Sequence, residues 1–258
     1  MVRANGDHLV QRLAPSGAAV LNTRAQAESA ESLKDKGSEY FHAGKLNVAG
    51  SYYRQAILAQ PGFAEAHNNL GAVLRKRGKP QSAIAAFQNA LILNPKSGFA
   101  YGNLANLHER YGNLEQAETY YLKAIALSPN LHQGFVGLAR IAARRQQWDD
   151  ALAALTRASA VAPQDAGILH QTGVVFLGKG DMSAALVNLR NAAGLAPKNA
   201  AIKACLADVL CRQGKREEGL ALAHEALTLD PNEAVAKELL DKMDSASSNA
   251  DQNSADSE

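Results

Sequence analysis

Apolar positions along this chain return on an interval of 34 residues. Pro61, Pro95, Pro129, Pro163, Pro197 and Pro231 are spaced by that interval. Taking each proline as position 32 of a unit divides the chain into residues 30–63, 64–97, 98–131, 132–165, 166–199 and 200–233. Position 27 is then alanine in every unit: Ala56, Ala90, Ala124, Ala158, Ala192 and Ala226. Position 20 is Ala49, Ala83, Ala117, Ala151, Ala185 and Gly219, and position 8 is Gly37, Gly71, Ala105, Ala139, Gly173 and Ala207. Larger residues occupy position 24 in most units, as Tyr53, Phe87, Tyr121, Leu155 and Leu189 but Ala223, while Leu70, Leu104, Leu138 and Leu206 occupy position 7. Small residues mark places where helices cross closely, since an added methylene in such a contact costs about 1–3 kcal/mol.

Punctuation within the unit predicts two helices. Position 15 is Gly44, Gly78, Gly112, Gly180 and Gly214, which supplies the left-handed residue that closes a first helix. Gln146 is the exception. The proline near the end of the unit turns its predecessor away from helical geometry and ends the second helix. No single pair can bury its apolar face alone, so neighbouring pairs must stack. After the last unit, Val235, Leu239, Leu240 and Met243 form one helical stripe opposite Lys237, Glu238, Asp241 and Lys242, which predicts a capping helix over 234–243. Residues 1–29 read as a disordered leader and 244–258 as a disordered acidic tail of Ser, Asn, Asp and Ala.

These residues resemble the tetratricopeptide repeat. Its W-x2-L-G-x2-Y, A-x3-F, A, P pattern is recognisable as Tyr101-x2-Leu104-Ala105, Ala117-x3-Tyr121, Ala124 and Pro129. The resemblance implies an all-α fold, a right-handed α-solenoid superhelix of six helix pairs with a concave face lined mainly by first helices. It also implies a non-enzymatic scaffold or adaptor that binds a peptide or protein segment in that groove.

In this family the groove is lined by positions 2, 5, 6, 9, 12 and 13. The central units place Asn68, Asn69, Arg75 and Lys76 there, then Asn103, Asn106, Glu109 and Arg110, then Gln133, Arg140 and Arg144. The asparagines offer donors and an acceptor to the backbone of an extended peptide. The arginines can take carboxylates in bidentate fashion, so the expected ligand segment is acidic. A second cause competes at position 13, where His42, Lys76, Arg110, Arg144 and Arg212 lie in the last turn of a helix and are favoured by its dipole by about 0.3–1 kcal/mol each. Lys34 and Asn69 match the clamp that holds chaperone C-terminal carboxylates, but Ser38, Phe99 and Asn103 do not. Asn69 and Asn103 resemble the start of the asparagine ladder of O-linked N-acetylglucosamine transferases, which then stops at Gly137 and Gln171. A regulatory partnership with an enzyme such as a glycosyltransferase is therefore a remote alternative. In the fifth and sixth units Val174, Leu177, Ala201, Ala204 and Cys211 occupy the same positions, an apolar surface that suggests a hydrophobic partner or self-association in a multiprotein assembly.

Composition narrows the chemistry further. With 27 basic against 25 acidic residues no global field recruits nucleic acid. No apolar run approaches the roughly 20 residues of a membrane span. Cys205 and Cys211 lie about 9 Å apart along one helix, beyond disulfide reach, and read as buried thiols. The histidines are scattered without metal-ligand spacing. The stretch Gly173 to Gly180 imitates a phosphate loop but lacks its hydroxyl and falls inside a predicted helix. No catalytic residue, metal or cofactor is expected. The location expected is cytoplasmic, with export the alternative if Arg3, Arg12, the apolar stretch 13–21 and Ala25-Gln26-Ala27 act as a signal.

Overall fold

The computed structural model describes residues 28–243. Of the leader expected over residues 1–29, residues 1–27 lie outside them, as does the tail expected over 244–258, while Ser29 caps the first helix by accepting from the Ser32 N–H. Twelve helices of 13 or 14 residues alternate along the chain: α1 (Ala30–His42), α2 (Leu46–Ala59), α3 (Ala64–Lys76), α4 (Pro80–Leu93), α5 (Gly98–Arg110), α6 (Leu114–Leu127), α7 (His132–Arg144), α8 (Trp148–Val161), α9 (Ala166–Lys179), α10 (Met182–Leu195), α11 (Ala200–Arg212) and α12 (Arg216–Leu229). A further helical stretch covers 234–243, and there is no strand among the described residues.

The helices fall into two compact units, one up to Leu93 and one from Asn94. Within each, a first helix packs on its own second helix, and that second helix packs on the next first helix. Neighbouring first helices also touch: α1 and α3 in one unit, and α5, α7, α9 and α11 in series in the other. Second helices of neighbouring pairs do not. First helices therefore lie on the inside of the curve in each unit, and what they expose faces a concave surface.

The small residue at position 8 sets how closely each pair crosses. A Cβ built on Gly37 would lie 2.7 Å from the Tyr53 ring, on Gly71 2.6 Å from Phe87, and on Gly173 2.6 Å from Leu189. All three partners occupy position 24 and are buried. Leu104, at position 7, is buried as well. The stretch imitating a phosphate loop is continuous helix up to Lys179, with Gly173 against Leu189. In the last helical stretch Ala236 is fully covered and Leu239 nearly so, with Leu240 and Met243 packed beside them, whereas Val235 is 38% exposed. The expected stripe holds at Leu239, Leu240 and Met243, but its first member is Ala236 rather than Val235, since 236 precedes 239 and 240 by three and four residues whereas 235 is so spaced only from 239.

Every first helix closes the same way. The five glycines at position 15 have φ between 67° and 88°. Gln146 has φ 59° and is the one non-glycine residue with positive φ among those described. The next residue then donates its N–H to the carbonyl five back, as in Lys79 to Leu74, Asp181 to Phe176 and, at the exception, Gln147 to Ala142, each 2.9 Å. Gln146 keeps the geometry of its glycine equivalents and bears the steric cost of a side chain there, about 1–2 kcal/mol. Replacing Gln146 by Gly is expected to raise the unfolding free energy by about 0.5–1 kcal/mol after the extra freedom of glycine in the unfolded chain is deducted. Urea denaturation checks this, and a loss of stability would show that the turn is not strained.

Candidate functional site: the inner face of the first helices

The polar residues expected to line a groove fall on both units, and many of them are already engaged. In the unit up to Leu93, Asn68, Asn69 and Arg75 of α3 are half-buried, and Asn68 donates to the Asn69 carbonyl oxygen at 3.4 Å. Lys76 holds its ammonium 4.6 Å above the Phe41 ring. Lys34 of α1 is surrounded by carboxylates, 2.5 Å from Glu31, 3.0 Å from Asp35 and 3.7 Å from Glu65, with its side chain only 15% exposed. Its charge is neutralised locally. The partial match to a carboxylate clamp therefore lacks a free lysine.

In the unit from Asn94, α5 contributes Asn103, Asn106, Glu109 and Arg110, and α7 contributes Gln133, Arg140 and Arg144. At their centre is a carboxylate that water hardly reaches. Glu109 is 3% exposed, and its oxygens accept hydrogen bonds from Arg140 Nε at 2.8 Å, Arg140 Nη2 at 2.6 Å and the Tyr121 hydroxyl at 2.8 Å. Arg140 Nη2 also reaches the Tyr121 oxygen at 3.1 Å, and the Asn106 side chain bonds the same phenol. Arg144 donates to the Glu109 main-chain carbonyl at 3.2 Å and lies 3.8 Å from its carboxylate. Burial by itself would raise the Glu109 carboxyl; the hydrogen bonds and charge of Arg140, the Tyr121 hydroxyl and the charge of Arg144 outweigh it and hold the group below its ordinary value. Burial and the neighbouring carboxylate push the Tyr121 phenol up.

This node exists because Tyr121 points elsewhere than its equivalent in the first pair. Tyr53 lies over Gly37, and its hydroxyl donates to Ser38 at 3.1 Å. In the third pair position 8 is Ala105, whose methyl group denies the ring that berth. The Tyr121 ring instead occupies the space over Gly137 of α7, where a Cβ would come within 2.2 Å of it. The interruption of the asparagine series at Gly137 thus has a packing cause. Gly178 is similar: a Cβ there would lie 2.5 Å from the ring of Trp148, so the basic series at position 13 gives way to an aromatic contact.

Two cations on this face reach solvent, although Arg144 is also held by Glu109. Arg110 is exposed and has no partner among the described residues, and the Arg144 side chain is 51% exposed. Both lie in the last turns of their helices.

The apolar surface expected in the fifth and sixth units is largely interior. Ala204 is fully buried in a cluster with Ala207, Ala223 and Ala226, while Leu177 and Cys211 are half-buried against neighbouring clusters. Only Val174 and Ala201 are exposed. The cysteines are half-buried rather than buried. Cys205 lies 3.3 Å from His170 Nε2, but burial pushes the thiol up to about 11 and the imidazole down, so both are neutral near pH 7 and no thiolate forms. Among the described residues no cluster of three His, Cys, Asp or Glu could hold a metal, and no helix is long and apolar enough to cross a membrane.

Comparison with known proteins agrees with this architecture. Tetratricopeptide repeat models match residues 62–130, 136–200 and 176–243, together well over half of the chain. The chain belongs to the tetratricopeptide repeat family, an all-α repeat scaffold for protein interaction. No curated protein matches the sequence. Among solved structures, the APC/C hetero-tetramer Cut9–Hcn1 aligns with a TM-score of 0.78 at 21% identity over 87% of this chain, which spans only 44% of that one. A thermophilic repeat protein of Thermus thermophilus aligns at 0.60 with 25% identity over 67% of this chain and 95% of its own. YrrB, described as a TPR protein with an unusual peptide-binding site, aligns at 0.50 with 20% identity, covering 73% of this chain and 97% of YrrB.

Replacing Glu109 by Ala is expected to cost about 3–5 kcal/mol, because Arg140 would remain largely buried without its carboxylate. Since the folded carboxyl is depressed, its stabilisation is complete above the ordinary value of 4.5 and is lost as pH falls through the folded value. The stability gap between the protein and Glu109→Gln, measured by urea unfolding, should therefore be wide at neutral pH and shrink as pH falls below the ordinary carboxylate value. A gap independent of pH would contradict the assignment.

Proposed function

We propose that this protein is a non-enzymatic adaptor that holds an extended, acidic segment of a partner protein against the first helices of the unit from Asn94. The observation that carries the reading is the pair Arg110 and Arg144. They occupy the same position in consecutive repeats, on adjacent first helices, and both are exposed on the inside of the curve. The helix dipole accounts for a basic residue in each last turn, but it does not require two of them beside a row of half-buried amides. Asn103 supplies a donor and an acceptor for the main chain of an extended ligand, which binds without dictating its side chains. The two arginines then take carboxylates in bidentate contacts. In the unit up to Leu93, Asn69 of α3 offers the same amide chemistry, while Lys76 lies over Phe41 and Lys34 among carboxylates. A repeat protein of the same fold, YrrB, is described with a peptide-binding site, and Cut9–Hcn1 is a hetero-tetramer, so binding of protein segments is in keeping with the architecture.

A fluorescein-labelled peptide of alternating Glu and Ser provides the test, read by anisotropy at low salt. Arg110→Ala and Arg144→Ala are each expected to weaken binding roughly tenfold, about 1.4 kcal/mol, and Asn103→Ala to weaken it less, with helicity and melting temperature unchanged. Raising ionic strength should weaken the protein's binding more than that of either arginine variant. Equal affinity of all four proteins would place the ligand elsewhere.

A further inference from the structure

Three arginines reach the inner face of α5 and α7, yet they are not equivalent. Arg140 is the best placed by sequence, at the middle of its helix, and it is the one whose charge is already matched. Glu109 takes its Nε and Nη2 in the side-on, two-bond arrangement that a ligand carboxylate would use, and Tyr121 shares Nη2. Because Glu109 is 3% exposed, no incoming group can reach the carboxylate to displace it. A buried anion 2.6 Å from the guanidinium also cancels its field over the face. The solvent-exposed cations are Arg110 and Arg144, the latter bonded to the Glu109 carbonyl and 3.8 Å from its carboxylate but with its side chain still 51% exposed; they lie at the ends of their helices, whereas Asn103 lies nearer the middle.

We infer that Glu109 is a specificity-determining residue: it withholds Arg140 from the ligand, so that carboxylates are accepted only along the edge marked by Arg110 and Arg144 and the middle of the face takes uncharged chain. The inference rests on the reading of this face as the ligand site and adds which charges the ligand must carry, and where. Glu109 acts through Arg140 and touches no ligand. The Tyr121 ring lies over Gly137 and its hydroxyl donates to the same carboxylate, which stays 3% exposed.

The same labelled Glu–Ser peptide distinguishes this from a structural role. Glu109→Gln keeps the size of the side chain but replaces one of the two oxygens that accept from Arg140 by an amide donor, so it gives up one of those bonds and uncovers positive charge in the middle of the face. It should bind the peptide about tenfold more tightly than the unaltered protein, with a steeper loss of affinity as salt is raised. The double variant Glu109→Gln/Arg140→Gln exchanges the ion pair for a neutral one and should return to the affinity of the unaltered protein within about twofold. It also serves as the decisive variant if Glu109→Gln alone is poorly folded by circular dichroism. Unchanged or weaker binding by a folded Glu109→Gln, or a double variant that loses binding, overturns the inference, the latter because Arg140 would then contact the ligand itself. Failure of the ligand-site reading shows differently, as an unaltered protein with no measurable affinity for the peptide. Should Glu109→Gln gain binding even then, the withholding of Arg140 stands, and if neither binds, both fall.

Discussion

The structure depends on one recurring contact, between the residue at position 8 of a first helix and the residue at position 24 of its second helix. It allows a fixed amount of matter. Gly37 faces Tyr53, Gly71 faces Phe87 and Gly173 faces Leu189, all within distances that leave no room for a methyl group. Where position 8 gains that methyl, position 24 carries no aromatic ring in two of the three cases, Leu155 with Ala139 and Ala223 with Ala207. Each choice keeps the pair close enough to bury the alanines at positions 20 and 27, which are nearly all fully covered. Close packing of this kind leaves side chains few places to go.

The third pair breaks the balance, with Ala105 and Tyr121 both large for their positions, and the candidate site follows from that. The ring moves over Gly137 of the next first helix and carries its hydroxyl to Glu109 and Arg140. A local packing conflict is resolved by a contact between neighbouring repeats, and the polar group that comes with the ring assembles a buried ion pair. Such a pair does not by itself make a fold more stable than an apolar equivalent. Its consequence here lies in which charges remain on the concave side: Arg140 is spent on the buried carboxylate, while Arg110 and the half-exposed Arg144 side chain reach solvent at the helix ends.

Most of the fold was legible because the information is local and repeated. Six prolines in register, the alanines of position 27 and the glycines of position 15 each report a backbone requirement that does not depend on distant partners. Gln146 could be noticed as a departure, but its left-handed backbone became visible only with its neighbours, since five identical turns impose their geometry on the sixth. The site was legible only as a set of positions. Asn103, Asn106, Arg110, Arg140 and Arg144 stand on two adjacent helices, as their repeat positions require, yet what the latter two do is decided by a partner up to 35 residues away, as Glu109 is for Arg144. Lys76 over Phe41 was hidden for the same reason. A signal for the node was present in the coincidence of Ala at position 8, Tyr at position 24 and Gly at position 6 of the following unit. The apolar surface expected at the C-terminal repeats failed on burial, since Ala204 occupies a groove position by count but is enclosed by the alanines of α12 and the helical stretch after it.

The claim that a single methyl group redirects Tyr121 and thereby creates the buried pair is tested most directly by a double-mutant cycle on stability with Gly137→Ala and Ala105→Gly. Gly137→Ala alone should destabilise by about 1–3 kcal/mol, because its Cβ enters the space of the Tyr121 ring. Adding Ala105→Gly should recover a large part of that loss, since the ring can then lie over residue 105 as Tyr53 lies over Gly37. Losses that simply add, with Ala105→Gly giving no recovery, would contradict the account.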